Sequence, residues 1–367
     1  SNTSNPFSED PTPVYVVAGV SRLKQIGDIR YFPNVSPRIR DSYGGYAWQM
    51  PITSHFPDEG FALPYQRYMD DEEVMSQLLF IPEHSNNFKY AAKHIGDDDA
   101  LIYVERFLQI VSMLEARGDD SENWAVRRTW LQTLLTELWV NRGPYPGLAP
   151  IMIALDCGDL AEFYYDQSAK GNGKAAAENI LKFVEDRNEK AIPKCTLSPQ
   201  KIETCRRNWQ RKLGKEAREL AKSVLCRVAI TAEQAQRILI GDRSENGIYA
   251  YLDEIEENPY ILSEQYIGND PGDEISFSRI DHAVLPSPEL GLEQLHSKDD
   301  WRRLRALMCD ELKRQTVHAF VSQETLLVNI NTRLEPYPEW KKEVFNENFV
   351  DYDKEEFEGA LTFRRKD

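Results

Sequence analysis

The feature that most constrains the fold is a helical repeat of apolar residues after Asp97. Six apolar residues recur at steps of three and four: Leu101, Val104, Phe107, Leu108, Val111 and Leu114. Such steps place side chains on one face of an α-helix. Asp97–Asp99 are typical of a first turn, and Gly118 is typical of a helix end. The pattern predicts an amphipathic helix that begins at about Asp97.

A second helix is predicted from Ser121, and it ends where Gly143 supplies a left-handed cap and Pro144 prevents continuation. Two antiparallel helices should result. At least one more helix is predicted between Asp156 and Ala191.

Later helices are predicted from their start signals. Ser198 can cap free backbone N–H groups and Pro199 suits a first turn, so a single long helix to about Arg227 should follow. Thr231 and Gln234 have the spacing of a capping box. Two more helices are expected at about 299–315 and 322–334.

The first 70 residues have a different character, with Pro, Gly, aromatics and short apolar runs such as Val14-Tyr-Val-Val17. Turn signals stand at Gly44-Gly45 and at Asp58-Glu-Gly60. These features indicate strands and loops. The predicted fold class is therefore α+β and mainly α, with a small β-rich N-terminal part and a helical bundle.

Composition limits the function. The 367 residues contain no run of about 18 apolar residues and no hydrophobic stretch near the start. We therefore expect a soluble, cytoplasmic chain without a membrane partner. The five cysteines are scattered and read as reduced, mostly buried thiols, and the six histidines form no metal motif. No metal site is predicted.

A phosphate-binding loop is not expected either. Gly173-Lys174 is preceded by Ser168 where the first glycine of the motif should stand, and it is followed by Ala175 instead of Ser or Thr. No cofactor is predicted for this chain.

Basic residues are concentrated in residues 199–227, which hold nine Lys or Arg against three Glu in a chain of net charge −16. On one continuous helix, five of them fall within about 80° of each other. These are Arg207, Arg211, Lys215, Arg218 and Lys222. Trp209, Leu213, Leu220 and Val224 lie opposite. The stripe is either a solvated surface neutralised by acidic neighbours or a phosphate-binding face.

One motif favours an enzyme. Gly247-Ile-Tyr249 and Tyr266-Ile-Gly268, followed by Arg279 and His282, resemble the signature of GIY-YIG nucleases. That resemblance implies a site in which two paired strands and a following arginine together bind and cleave a phosphodiester. The spacing of sixteen residues exceeds that family's tight strand pair, and Asp253–Glu257 favours a helix ended by Asn258-Pro259.

A second resemblance concerns residues 225–330. Thr231-Ala-Glu-Gln-Ala235 with Asn258-Pro-Tyr-Ile-Leu-Ser-Glu264 is similar to the helix-hairpin-helix segment ahead of the motor in RecD-like DNA helicases, related to the exonuclease V alpha subunit. Ile280-Asp-His-Ala-Val-Leu-Pro286 and Arg303-Leu-Arg-Ala-Leu307 resemble the region leading to a winged-helix-like unit. Fainter similarity covers Pro57–Tyr65, Tyr90–His94 and Arg142–Leu148.

The resemblance implies a non-catalytic region of a bacterial DNA repair or recombination helicase, with the motor C-terminal to Asp367. ATP and Mg²⁺ would serve that motor only. The expected partner is single-stranded or forked DNA, with Arg237 and Arg243 as further contacts. The loop Ile240–Gly247 departs from the family's glycine-rich pattern, because it carries Asp242 and Glu245.

The residue patterns together with this resemblance predict four regions: a β-rich part (1–70), a helical domain (71–195), a helical domain with the basic helix and helix-hairpin-helix-like elements (196–298), and a winged-helix-like unit (299–367).

The alternative from another class is a protein-interaction scaffold without nucleic-acid binding. It is motivated by the acidic total charge and by seven Trp and seventeen Tyr. We expect Trp124, Trp130 and Trp139 to be core residues rather than interface anchors.

Overall fold

A computed structural model describes most of the chain, in segments. These are residues 2–4, 13–15, 17–25, 30–32, 47–49, 52–80, 96–186, 198–269, 273–314, 320–351, 357 and 361. The chain divides into two compact units, one formed by 1–93 with 110–132 and the other by 94–109 with 133–367. The predicted boundaries near 70, 195 and 298 stay predictions.

The first unit contains the strands, each of three residues. They are β1 (Asn2–Ser4), β2 (Pro13–Tyr15), β3 (Gly19–Ser21), β4 (Leu23–Gln25), β5 (Arg30–Phe32), β6 (Ala47–Gln49), β7 (Ile52–Ser54) and β8 (Gly60–Ala62). All pairs are antiparallel: β1 with β2, β3 with β8, β4 with β7, and β5 with β6. In the chain order the last three pairs are nested, with β5 and β6 innermost and β3 and β8 outermost.

Aromatic packing closes the core of this unit. The Phe61 ring lies edge-on to Trp124, with centroids 5.7 Å apart, and edge-on to Trp130 at 6.2 Å. Trp124 also donates from Nε1 to Asp119, at 2.9 Å. Trp124 is buried as expected, whereas Trp130 is only partly buried.

The helices account for most of the described chain. They are α1 (Glu72–Leu78), α2 (Asp97–Ala116), α3 (Trp124–Arg142), α4 (Leu148–Ala154), α5 (Gly158–Ala169), α6 (Gly173–Asp186), α7 (Pro199–Lys212), α8 (Lys215–Ser223), α9 (Ala232–Leu239), α10 (Leu252–Glu257), α11 (Ile261–Gln265), α12 (Phe277–Val284), α13 (Trp301–Arg314), α14 (Gln323–Leu334) and α15 (Glu347–Asp351). Short 3₁₀ turns are Tyr65–Tyr68, Leu225–Arg227, Arg243–Asn246 and Pro288–Leu290. The protein is mainly helical, as predicted.

Helix ends follow local signals. The Ser198 side chain accepts from the Lys201 N–H at the start of α7. Thr231 and Gln234 form the predicted capping box of α9. Gly118 and Gly143 have φ values of 71° and 70°, in the left-handed region that favours glycine.

Buried apolar residues drawn from the range 145–357 form a single hydrophobic core in the second unit. Trp139 is 1% exposed, as expected for a core residue. Within the described residues after 298 there are helices and turns but no strand. The helix-hairpin-helix and winged-helix assignments stay predictions. No helix in the described part of the chain is both long and apolar enough to cross a membrane.

The predicted single helix from Pro199 to Arg227 is wrong. Leu213 and Gly214 are extended, so α7 ends at Lys212 and α8 begins at Lys215. The cause is packing, because the Leu213 side chain turns into the core and is 2% exposed. The basic stripe therefore lies on two helices.

Candidate nucleic-acid interface

One face of α7 contacts the turn between α4 and α5 and the first turn of α5. Lys201 pairs with Asp159 at 2.9 Å, and Lys212 pairs with Asp156 at 2.5 Å. Between them, Asn208 donates from Nδ2 to the Leu155 carbonyl at 2.8 Å. Positions 201, 208 and 212 share one helix face. The polar groups of this face are therefore engaged in contacts within the protein.

A neighbouring side of α7 packs on the end of α6. Trp209 is fully buried, and its Nε1 donates to Glu185 at 2.9 Å. Gln210 donates to the Val184 carbonyl at 3.2 Å. The orientation of α7 is thus set by two of its sides.

The remaining side of α7 presents Arg207 and Arg211 to solvent, and Lys215 is exposed at the start of α8. Among the described residues, none of these three cations has an ion pair or a side-chain hydrogen bond. We call them the basic surface. No described carboxylate compensates their charges, although the chain as a whole carries a net charge of −16.

Two further residues of the predicted stripe are already paired. Arg218 donates to the Leu213 carbonyl at 3.2 Å and lies 3.7 Å from Glu185. Lys222 lies 2.9 Å from Glu219 and 3.5 Å from Glu185. Although burial opposes it, these carboxylates raise the pKa of Lys222 above its usual value. Both cations would have to exchange partners to bind phosphate.

Arg237 and Arg243 are also engaged in local structure. Arg237 pairs with Asp273 and donates to the Tyr266 hydroxyl at 3.1 Å. Arg243 donates to the Ala250 carbonyl at 2.5 Å and so holds its own loop closed. Of the seven predicted contacts, the structure thus leaves three exposed and without an ion pair among the described residues, and it engages four in internal contacts.

The GIY-YIG pattern does not form a strand pair. A single backbone bond, 2.9 Å from Ile267 N–H to the Asn246 carbonyl, joins the two segments, and neither is a strand. Tyr249 is 77% exposed. Arg279 pairs with Asp99 at 2.6 Å, and His282 is fully buried. The pattern's residues are therefore not assembled around one cleft.

His282 belongs instead to a buried ionic cluster that sequence reasoning missed. Its seven members, none more than 6% exposed, are Asp98, Glu105, Arg142, Asp281, His282, Arg303 and Lys341. The pairs include Arg142–Asp98 at 3.1 Å, Lys341–Glu105 at 2.7 Å and Arg303–Asp281 at 2.8 Å. His282 bridges Asp98 and Glu105. The cluster joins α2, the end of α3, α12 and α13.

The electrostatics of the cluster suit a structural role. Burial opposes ionisation of the carboxyl groups, but the adjacent cations hold the pKa of Asp98 and Asp281 well below the usual range. Lys341 and His282 likewise lower the pKa of Glu105 to about 2 against the effect of burial. Opposite charges within the cluster therefore stabilise each other.

A cavity of about 380 Å³ lies at the start of α2, lined by Asp97, Asp99, Arg279, Tyr165 and Thr231 among others. Arg279 and Asp99 both line this cavity and form an ion pair with each other. In the described part of the chain, no three His, Cys, Asp or Glu side chains converge as metal ligands.

The chain was compared with protein families, curated proteins and solved structures. No protein-family model, no curated protein and no solved structure matches the chain.

Proposed function

We propose that this chain is a DNA-binding accessory region of a RecD-like helicase, in which the basic surface contacts the phosphate backbone. The observation that carries the proposal is the exposure of Arg207, Arg211 and Lys215, none of which has an ion pair with a described residue. Arg207 and Arg211 on the docked helix α7, with Lys215 at the start of α8, are suited to bind phosphates.

The proposal includes a division of labour within the parent protein. Bond chemistry belongs to a motor C-terminal to Asp367, which would use ATP and Mg²⁺ in the cytoplasm. The present region would hold single-stranded or forked DNA, through backbone charge and without reading sequence. The helix-hairpin-helix-like and winged-helix-like assignments are part of this proposal.

Fluorescence anisotropy with single-stranded and forked DNA at two salt concentrations tests it. Replacing Arg207, Arg211 and Lys215 by Glu should weaken binding by more than tenfold at low salt, because each cation neutralises phosphate charge. The matched control replaces Lys24, Lys170 and Lys313 by Glu, since these cations are exposed and lie outside α7 and α8. Equal loss in both variants, or no binding by the wild type, would contradict the proposal.

A protein-interaction function is the second candidate, and a separate surface favours it. Tyr249, Tyr251 and Ile267 are 77%, 70% and 64% exposed. The exposed acids Glu245 and Asp253 lie in the same short stretch of chain as the tyrosines. Exposed aromatics with acidic neighbours suit a basic, partly apolar protein segment better than they suit DNA.

A pull-down after nuclease treatment separates the two candidates. A protein partner that is recovered by the wild type and by the basic-surface variant, but lost when Tyr249 and Tyr251 become Ala, would favour the scaffold. Absence of DNA affinity in the same preparation would complete that case.

A further inference from the structure

The cavity at the start of α2 lies entirely among residues of the second unit. Its lining comes from the first turn of α2, the end of α3, α5, the segment before α9, and α12. Several of the lining residues are exposed, so the cavity is open to solvent. These include Asp97, Asn141, Tyr165 and Thr231. Its volume of about 380 Å³ is within the range of small-molecule sites.

The inner wall of the cavity contains a buried carboxylate with one unpartnered oxygen. Asp98 lines the cavity and is 6% exposed. Its Oδ1 atom accepts from Arg142 Nε at 3.1 Å and contacts His282. Its Oδ2 atom is buried and has no hydrogen-bond partner among the described residues. Because the Arg142 ion pair favours the charged carboxylate, an oxygen without a donor is costly there.

The two arginines of the wall are engaged with other acceptors. Arg142 directs its two terminal nitrogens at backbone carbonyl oxygens, at 3.4 and 2.8 Å. Arg279 forms an ion pair with Asp99 at 2.6 Å. Three Asp and two Arg among the lining residues leave one negative charge in excess. The inner wall is therefore short of a positively charged donor and not of an acceptor.

Aromatic and aliphatic groups complete the wall. The rings of Tyr164 and Tyr165 have centroids 6.2 Å apart and planes inclined at 50°. Both residues line the cavity, together with Pro146 and Ile230. Aromatic faces attract cations and also cover apolar groups. This wall suits a ligand that has a cationic end and an apolar body.

We propose that the cavity is a binding site for a small primary amine, whose ammonium group donates to Asp98 Oδ2 and whose apolar part packs on Tyr164 and Tyr165. An ammonium group carries three donors and no acceptor, which is the complement of the inner wall. The Asp97 carboxylate near the mouth adds attraction for a cation. Binding involves no bond chemistry.

The proposed site is continuous with the buried ionic cluster, because Asp98 belongs to both. A donor on Oδ2 would satisfy the oxygen that Arg142 and His282 leave without a partner. An amine that binds only the folded chain should therefore raise Tm as its concentration rises.

Ligand-observed NMR titrations of the full chain with benzylamine at neutral pH test the proposal. Benzyl alcohol is the control, since it has nearly the same shape but no charge. Benzylamine should bind more tightly than the alcohol by roughly tenfold or more, because a hydrogen bond between charged groups is stronger than a neutral one. Thermal melts should show the rise in Tm with benzylamine and a smaller one with the alcohol.

Two variants locate the binding. Asp98→Asn should lower the affinity for benzylamine by about tenfold, because it removes the charge that the ammonium contacts. Since Asp98 also serves the ionic cluster, Tyr165→Ala is a second variant at an exposed position. It should lower the affinity by roughly threefold. The matched control is Tyr249→Ala, which removes an exposed tyrosine outside the cavity and should leave the affinity unchanged.

Three results would overturn the proposal. They are no binding of benzylamine, equal affinities for benzylamine and benzyl alcohol, and equal affinities of the Tyr165→Ala and Tyr249→Ala variants for benzylamine. The comparison of the two ligands is made on the wild type, so a variant that folds poorly cannot obscure the outcome. No nucleic acid enters the experiment, which makes it independent of the proposed function.

Discussion

The His282 Nε2 atom lies 3.0 Å from a Glu105 carboxylate oxygen, inside a core where both side chains are almost inaccessible to solvent. The two residues are 177 positions apart in the sequence. Asp98 contacts the other ring nitrogen of His282, so the imidazole lies between two carboxylates. This arrangement favours the protonated ring and makes the stability of the second unit depend on pH.

The first prediction concerns that dependence. Burial and Lys341 oppose protonation, but Glu105 and Asp98 outweigh them and raise the pKa of His282 above its usual 6.5. A raised pKa stabilises the fold fully below the unfolded value, and this stabilisation is lost as pH rises through the folded value. The loss in free energy of unfolding caused by His282→Gln should therefore be largest below pH 6.5 and should shrink at higher pH.

Urea unfolding of the wild type and His282→Gln between pH 5.5 and about 9 measures this difference. Glu105 does not titrate in that range, since its pKa is about 2. If the free-energy loss caused by His282→Gln grew with pH, the result would contradict a protonated His282 ring in the folded protein.

The second prediction concerns Arg303 and Asp281, a fully buried pair with contacts of 2.8 and 3.2 Å. Tyr260 also donates to Asp281 at 2.8 Å. Arg303→Met should lower the free energy of unfolding by about 3–5 kcal/mol, because it leaves a buried carboxylate without its main partner. Urea denaturation measures the loss.

The double variant Arg303→Met with Asp281→Leu is the control for that prediction. Removing both charges should recover part of the loss, since the cost arises from the uncompensated charge and not from the missing contact. If Asp281→Leu lowered the free energy of unfolding of the Arg303→Met variant as much as it lowers that of the wild type, the two residues would act independently.

The third prediction concerns Gly147, just before α4. A β-carbon there would overlap the carbonyl oxygens of Leu225 and Val228. Because both are backbone atoms in the core, Gly147→Ala should destabilise by about 2–3 kcal/mol. Gly158→Ala is the matched control, since nothing lies within 4 Å of a β-carbon there. Thermal melts of both variants compare them, and equal Tm values would contradict the close approach.

Local signals predicted the helix ends well. The Ser198 cap, the Thr231–Gln234 capping box and the left-handed Gly143 depend on residues within four positions of each other, so a short stretch of sequence contains the whole cause.

The break at Leu213–Gly214 was missed because its cause is tertiary. Apolar Leu213 fits a continuous helix in sequence, and only burial of its side chain shows why the backbone extends there. The predicted stripe therefore combined the three cations of the basic surface with Arg218 and Lys222. The charges of these two are compensated by Glu185 and Glu219.

The ionic cluster could not have been predicted from spacing. His282 meets Asp98 across 184 positions, and Lys341 meets Glu105 across 236. No periodicity within one element contains such pairs. In the sequence, His282 attracted notice through a nuclease pattern whose segments do not pair as strands, and as part of the helicase-like stretch 280–286.

The measurement that tests the central claim most directly is the salt dependence of single-stranded DNA binding. With Arg207, Arg211 and Lys215 changed to Gln, the slope of log affinity against log salt should become shallower by about 2, or about 0.7 per lost cation. Changing the locally paired Arg237 and Arg243 to Gln should leave the slope nearly unaltered. Equal slopes in the wild type and the triple variant would contradict a phosphate-binding role for the basic surface.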